Sequence, residues 1–218
     1  EEIGGEKMQR ITGKKMNQKT KKQTMNQPKK EMKNKKEIVF VTTNPHKVKE
    51  AQNLLKDYTV TQIDLHLPEL QAPQEDIVLA KASAACLELN KPVVVDDTGF
   101  YINALGGMPG QYGAHFIKAL GTEKIGRIAS VFDDKTVLFK TCVAYAEPGK
   151  KPLVFVGEVV GKILDKPRGG NHGFGYDPLF VPDGHTKTYA EMTTEEKNKI
   201  SQRRQAFLKL AEYLEAHQ

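Results

Sequence analysis

From Ile38 onward the chain alternates short β-branched runs with longer stretches whose apolar residues recur every three or four positions. Ile38-Val39-Phe40-Val41-Thr42-Thr43 predicts a first strand. Asn44-Pro45 follows as an N-cap and a proline at the first helical position, and Val48, Ala51, Leu54 and Leu55 carry a helix to about Lys56 or Asp57. Tyr58 to Leu65 alternates as a second strand, Leu67 to Pro73 forms a loop with two prolines, and an Ala- and Leu-rich stretch from Gln74 to Leu89 predicts the next helix. Val93-Val94-Val95 reads as a strand buried on both faces that ends where Asp96-Asp97-Thr98-Gly99 turns. This β-α-β-α-β order predicts a partly parallel sheet covered on both faces.

The second half is patterned differently. Ala104 to Gly113 is a glycine-rich loop, followed by two short helices over Ala114 to Leu120 and Lys124 to Phe132. Val137 to Ala146 and Leu153 to Val160, separated by Glu147-Pro148-Gly149-Lys150, predict an antiparallel hairpin and therefore a mixed sheet. A second glycine-rich segment, Arg168 to Pro178, leads into a short strand over Leu179 to Val181. One closing helix is expected from about Thr193 to Ala216, capped by Thr193 or Thr194 with Glu195 or Glu196. The fold class is α/β, a mixed central sheet flanked by helices.

Charge divides the chain. Residues 1–36 hold 12 of the 33 basic and 4 of the 27 acidic side chains, a net +8 that leaves −2 for residues 37–218. The Lys-, Gln-, Asn- and Met-rich extension 1–36 cannot bury a core and is expected to be disordered, with residues 37–218 as the folded domain. Its lysines are spread and lack interleaved aromatics, so a nucleic-acid partner is not expected. Cys86 and Cys142 sit in apolar segments without metal-ligand spacing, which predicts neither disulfide nor zinc. No apolar run reaches the ~18 residues of a membrane span, and no apolar leader segment is visible, so a cytoplasmic protein is expected.

Four stretches carry candidate chemistry. Paired carboxylates at the end of a buried strand, Asp96 and Asp97, repel unless a cation sits beside them, and Mg²⁺ is the usual answer; a solvated Asp-Asp-Thr-Gly turn is the plain alternative. Thr42-Thr43-Asn44-Pro45-His46-Lys47 lies between strand and helix N-terminus, where N–H groups, hydroxyls, an amide and an ammonium suit a polyphosphate, or simply cap a helix. Lys81 stands in an otherwise apolar and small-residue helical stretch, Ile77 to Ala85, and points either to solvent or to a phosphate, while Glu69 in the rigid loop offers a further carboxylate. Gly173-Phe174-Gly175-Tyr176-Asp177-Pro178 combines glycines, stacking rings and an acceptor for ring N–H groups, which suits a planar base or an ordinary anchored turn.

Taken together and in order, TTNPHK, the LPELQ loop, the Lys81 helix, DDTGF with ALGGMPG, FGYDPLF with TYAEM, and the terminal Lys197 to Arg203 run resemble the inosine triphosphate pyrophosphatase (Ham1) family over about residues 37–217. The resemblance implies a homodimer with two lobes and an active-site cleft that hydrolyses ITP, dITP and XTP to the monophosphate and pyrophosphate with Mg²⁺, or Mn²⁺ in its place. It implies that Thr42, Thr43, Asn44, Pro45, His46, Lys47, Lys81 and Thr98 bind the triphosphate, and that Lys47 and Lys81 act with Asp97, the general base. Glu69 and Asp97 would hold the metal with Asp96 beside them; Phe174 would stack on the purine, Gly175, Tyr176 and Asp177 would border it, and Lys197, Gln202 and Arg203 would reach the base edge. Two departures stand out: relatives carry Ser-His-Arg where this chain has Ser201-Gln202-Arg203, and a Lys or Arg where it has Ala114-His115. A pyrophosphatase for other modified nucleotides and a nucleotide- or nucleic-acid-binding module are the competing readings.

Overall fold

The computed structural model describes residues 35–67, 70–169 and 175–217. The basic extension up to Asn34, Glu69, Phe174 and the side chain of His46 lie outside the described residues. Strand β1 (Lys36–Val41) is buried from Ile38 on and pairs in parallel with β2 (Tyr58–Ile63) and β3 (Val93–Ile102). The crossovers are helices α1 (Pro45–Leu54) and α2 (Gln74–Leu89). β5 (Thr136–Ala146), β6 (Leu153–Ile163) and β7 (Phe180–Pro182) continue the sheet antiparallel, and the two-residue β4 (Pro109–Gly110) pairs with β3. The order is β2-β1-β3-β5-β6-β7, the mixed sheet that the pattern predicts.

Helices cover both faces because each central strand is apolar on both. Ile38, Phe40, Val94, Val143 and Tyr145 pack on one side with Phe207 and Leu210, and Val39, Val41, Val93, Val95 and Ala144 pack on the other with Val78 and Ala82 of α2. The far end of the sheet has its own aromatic cluster, Phe100, Phe139, Tyr176, Phe180 and Tyr189, against α3 (Gly113–Ser130). That helix bends at Gly121, where φ is +73°, close to the expected gap between two short helices.

Two expectations are corrected. β3 does not end at Asp96-Asp97: it runs on to Ile102 because β5 pairs with it along its whole length, Val93 opposite Ala146 and Ile102 opposite Val137. What ends beside the carboxylates is β1, whose register with β3 covers only Val39–Val93 and Phe40–Val94. The closing helix is two helices, α4 (Thr194–Ile200) and α5 (Gln202–Ala216), broken at Ser201, whose extended backbone (ψ 147°) and Oγ cap α5 by accepting from the Arg204 N–H at 3.2 Å. α5 then lies directly on β6, where a Cβ on Gly157 would come within 1.9 Å of Gln202 O. A side chain there would push away the helix start that carries Arg203.

Candidate active site

Adjacent strand residues face opposite sides of a sheet, so Asp96 and Asp97 cannot share one environment. Asp96 points toward α1 and α5. Lys47 of α1 donates from Nζ to Asp96 Oδ1 at 2.8 Å, and Arg203 of α5 donates from Nε to Oδ2 at 3.1 Å. Arg203 also donates from Nη1 to Glu50 Oε2 at 3.1 Å and from Nη2 to Thr98 Oγ1 at 3.4 Å, while Thr98 shares a hydroxyl contact of 2.9 Å with Thr141. The Asp96 side chain is 1% exposed. Burial pushes its carboxyl up, but the joint pull of Lys47 and Arg203 outweighs it and leaves Asp96 below the ordinary carboxylate range. Arg203, its side chain 13% exposed, is raised by the same pairing with Asp96 and Glu50, which overrides its own desolvation.

This corrects two expectations. With both oxygens taken by cations, Asp96 does not stand with Asp97 around one metal ion. Arg203 is turned not to an open base edge but to Asp96, Glu50 and Thr98. Glu50 is the residue that sequence reasoning missed here, although its spacing of three from Lys47 places it on the same face of α1. The β1–α1 turn that leads there is self-braced, with the Asn44 N–H donating to Thr42 Oγ1 at 3.2 Å and Gln62 Nε2 to Thr42 O at 2.8 Å. Thr43 and Pro45 are exposed on it.

Asp97 points to α2. Gln74 Nε2 donates to its Oδ2 at 3.0 Å, and the Lys81 charge acts on it from the same helix. Burial is the largest influence and raises the Asp97 carboxyl above its ordinary range, opposed by Lys81 and reinforced by the neighbouring Asp96 charge. Gln74, Ile77, Val78 and Lys81 fall at i, i+3, i+4 and i+7 of one helical face, a signal by which Gln74 was legible beside Lys81. Extending the β1–β3 register by two residues sets Thr42 beside Asp96, so Lys47, Lys81 and Asp97 gather at the carboxyl end of β1. Ligands of open α/β sheets bind at such strand ends.

The third group lies at the start of α4 and α5. Lys197 donates to Asp177 Oδ2 at 2.7 Å and sits 5.3 Å from the Tyr189 ring centroid, while the Tyr189 hydroxyl meets Gln202 Oε1 at 3.5 Å. The structure thus brings together Asp177, Lys197 and Gln202, which come from three separate segments: the turn before β7, α4, and the start of α5. Tyr176 corrects an expectation: it is 5% exposed, stacks on Phe100 at 4.2 Å and donates to Gly113 O at 3.0 Å, so it buttresses the core rather than bordering a ligand. Gly175 precedes it with φ +61°.

The sequence model of the Ham1 family matches residues 38–213, nearly the whole described fold. The chain belongs to the Ham1 family. It is 40% identical over 180 residues to a dITP/XTP pyrophosphatase of Methanopyrus kandleri, an alignment covering 81% of this chain and 95% of that protein. It is 39% identical over 181 residues to an inosine triphosphate pyrophosphatase of Schizosaccharomyces pombe, covering 82% and 95% respectively. The Ham1 protein of Staphylococcus aureus superposes with a TM-score of 0.76 at 33% identity, covering 84% of this chain and all of that one.

In this Ham1 protein no three His, Cys, Asp or Glu side chains cluster as a metal cage among the described residues. Mg²⁺ keeps several waters and takes one or two carboxylates plus substrate phosphates. Asp97, half-buried, and with its second oxygen unbonded among the described residues, fits that donor set. Asp96 does not. Among the described residues no helix is long and apolar enough to cross a membrane.

Proposed function

We propose that the protein is a pyrophosphohydrolase of the purine nucleoside triphosphates ITP, dITP and XTP. The observation that carries the reading is the separation of the two carboxylates: one locked by Lys47 and Arg203, the other raised by burial and facing Lys81 where β1 ends. The activities for which the aligned relatives are named support the same substrates. The N-terminus of α1 with Lys47 and Lys81 receives the triphosphate, supplying N–H donors and positive charge. Asp97 accepts the proton of the attacking water, a role for which a raised carboxyl is suited. Water oxygen bonds to the α-phosphorus, the bond from that phosphorus to the β-phosphate oxygen breaks, and monophosphate and pyrophosphate result. Asp97, with Glu69, would hold Mg²⁺, whose chemistry when bound is to neutralise charge on the phosphate oxygens.

Base choice falls to the Asp177–Lys197–Gln202 group. Lys197, whose side chain is 21% exposed, is the donor that matches the O6 acceptor of hypoxanthine and xanthine, whereas adenine presents an amino group there. Asp177 and Gln202, 2% and 3% exposed, lie behind it, Asp177 accepting from Lys197 and Gln202 from Tyr189. The reading also includes the homodimer and cytoplasmic setting implied by the family resemblance; light scattering on the purified chain checks the first. The deciding experiment is pyrophosphate release from ITP, dITP, XTP, ATP, GTP and a modified pyrimidine triphosphate with Mg²⁺. Preference for ITP or XTP over ATP by about 10²-fold or more is expected. Equal turnover of all, or of none, sinks the proposal, and preference for the pyrimidine moves it to other modified nucleotides.

A further inference from the structure

The α2 face of β3 carries a second polar residue that the reaction as described does not use. Tyr101 lies four positions beyond Asp97 on the same side of the strand, and its ring rests on glycines. A Cβ on Gly99 would come within 2.7 Å of Tyr101 Cε2, and one on Gly110, where φ is +56°, within 3.0 Å of Cε1. The Tyr101 hydroxyl reaches Gln74 Oε1 at 2.9 Å, and Gln74 Nε2 reaches Asp97 Oδ2 at 3.0 Å. Gln74 is 1% exposed, too deep for water to substitute for either contact. Its neighbour Glu75 pairs with Lys140, whose Nζ lies 6.0 Å from the Tyr101 ring centroid, closing the far side of the arrangement.

Valence sets the direction of this chain. An ionised carboxylate only accepts, so the amide nitrogen must face Asp97; that turns Oε1 toward Tyr101, and the phenol must donate. Burial raises the Tyr101 hydroxyl far above its ordinary range, so the donating proton is retained.

We infer that Gln74 and Tyr101 are positioning residues for Asp97: the phenol on its glycine shelf orients the amide, and the amide holds Oδ2 so that Oδ1 is presented to the reaction. The inference rests on the reading of Asp97 as base and metal ligand. Without the phenol the amide is free to turn its oxygen toward the carboxylate, and Asp97 loses its fixed rotamer. Partners of this kind typically change metal affinity or activity by about 10- to 100-fold.

The test compares the full chain with its Tyr101→Phe, Gln74→Leu and double variants for ITP turnover and for Mn²⁺ binding by calorimetry with the ion alone. Tyr101→Phe keeps the ring on its shelf and removes one oxygen, and is expected to lower kcat about fivefold. Gln74→Leu lowers kcat about 10- to 100-fold, with KM for ITP nearly unchanged in both. Mn²⁺ affinity weakens in the same order. The double variant is no slower than Gln74→Leu alone, because Tyr101 acts through Gln74. Parental kcat in Tyr101→Phe, or losses that multiply in the double variant, overturns the inference; so does a lowered melting temperature at parental kcat. If Gln74→Leu does not fold, Tyr101→Phe alone decides. Asp97→Asn runs alongside: retained turnover there means the assignment of Asp97 has failed, whereas an inactive Asp97→Asn beside fully active Gln74 and Tyr101 variants means that only the positioning role has.

Discussion

Asp96 and Asp97 are covalent neighbours on opposite faces of β3, and the two faces treat a carboxylate in opposite ways. On the α1/α5 face both oxygens of Asp96 accept from cations, and its ionised form is favoured despite burial. On the α2 face Asp97 accepts from a neutral amide and feels Lys81 only through space, so burial prevails and its proton is held more tightly. The number of cationic donors in contact, not the depth of burial, separates them. One carboxylate becomes the anchor that ties α1, β3 and α5 together, and the other stays available for proton transfer.

The contrast breaks most visibly at Asp97. Asp97→Asn is expected to lower turnover by about 10²- to 10⁴-fold while leaving the urea midpoint near the parental value. Near-normal turnover would clear Asp97 of the base role. Asp96→Asn is expected to act mainly on stability, because Lys47 and Arg203 lose their ionised, buried partner. A loss of about 3–5 kcal/mol in urea unfolding is the typical scale for such a buried pair, and a parental midpoint would show that the ion pairs are not an anchor.

A smaller effect sharpens the same contrast by pH. Asp96 has a lowered folded pKa, so its contribution is fully present above the unfolded reference of about 3.9 and is lost as pH falls through the folded value. The stability gap between parent and Asp96→Asn should therefore close in acid. Asp97 has a raised folded pKa, so its cost sets in as pH rises from about 3.9 through the folded value; Asp97→Asn should be equal to or slightly more stable than the parent at neutral pH. Urea titrations at several pH values read both, and opposite trends would contradict the two pKa directions.

Much of this fold is legible in the sequence. The α2 boundaries Gln74 and Leu89 follow from a proline before and a left-handed Asn90 after an Ala-rich run, and the β5–β6 hairpin from two β-branched runs around Glu147-Pro148-Gly149-Lys150. The Thr193 capping box was equally readable. The end of β3 was not, because a strand stops where its neighbour stops, and β5 belongs to a segment some forty residues away. Nor was the break at Ser201, where a local cap competes with helical continuation and is favoured once α5 packs against Gly157. Tyr176 and Arg203 read as ligand contacts from their motifs, yet Phe100 and Asp96 hold them inside the protein.

By itself the sequence determined the α/β class, the helix and strand order and the family, since periodicity and ordered motifs are local properties of the chain. It also set two adjacent carboxylates directly after the apolar run Val93-Val94-Val95. Only the tertiary structure decided that β3 runs on through them while β1 ends beside them, that the pair would split between two faces, and that Gln74, Tyr101 and Glu50 would join them. Those outcomes depend on the two-residue alternation of β3 meeting helices that are distant in sequence, and on which donors each helix brings into contact.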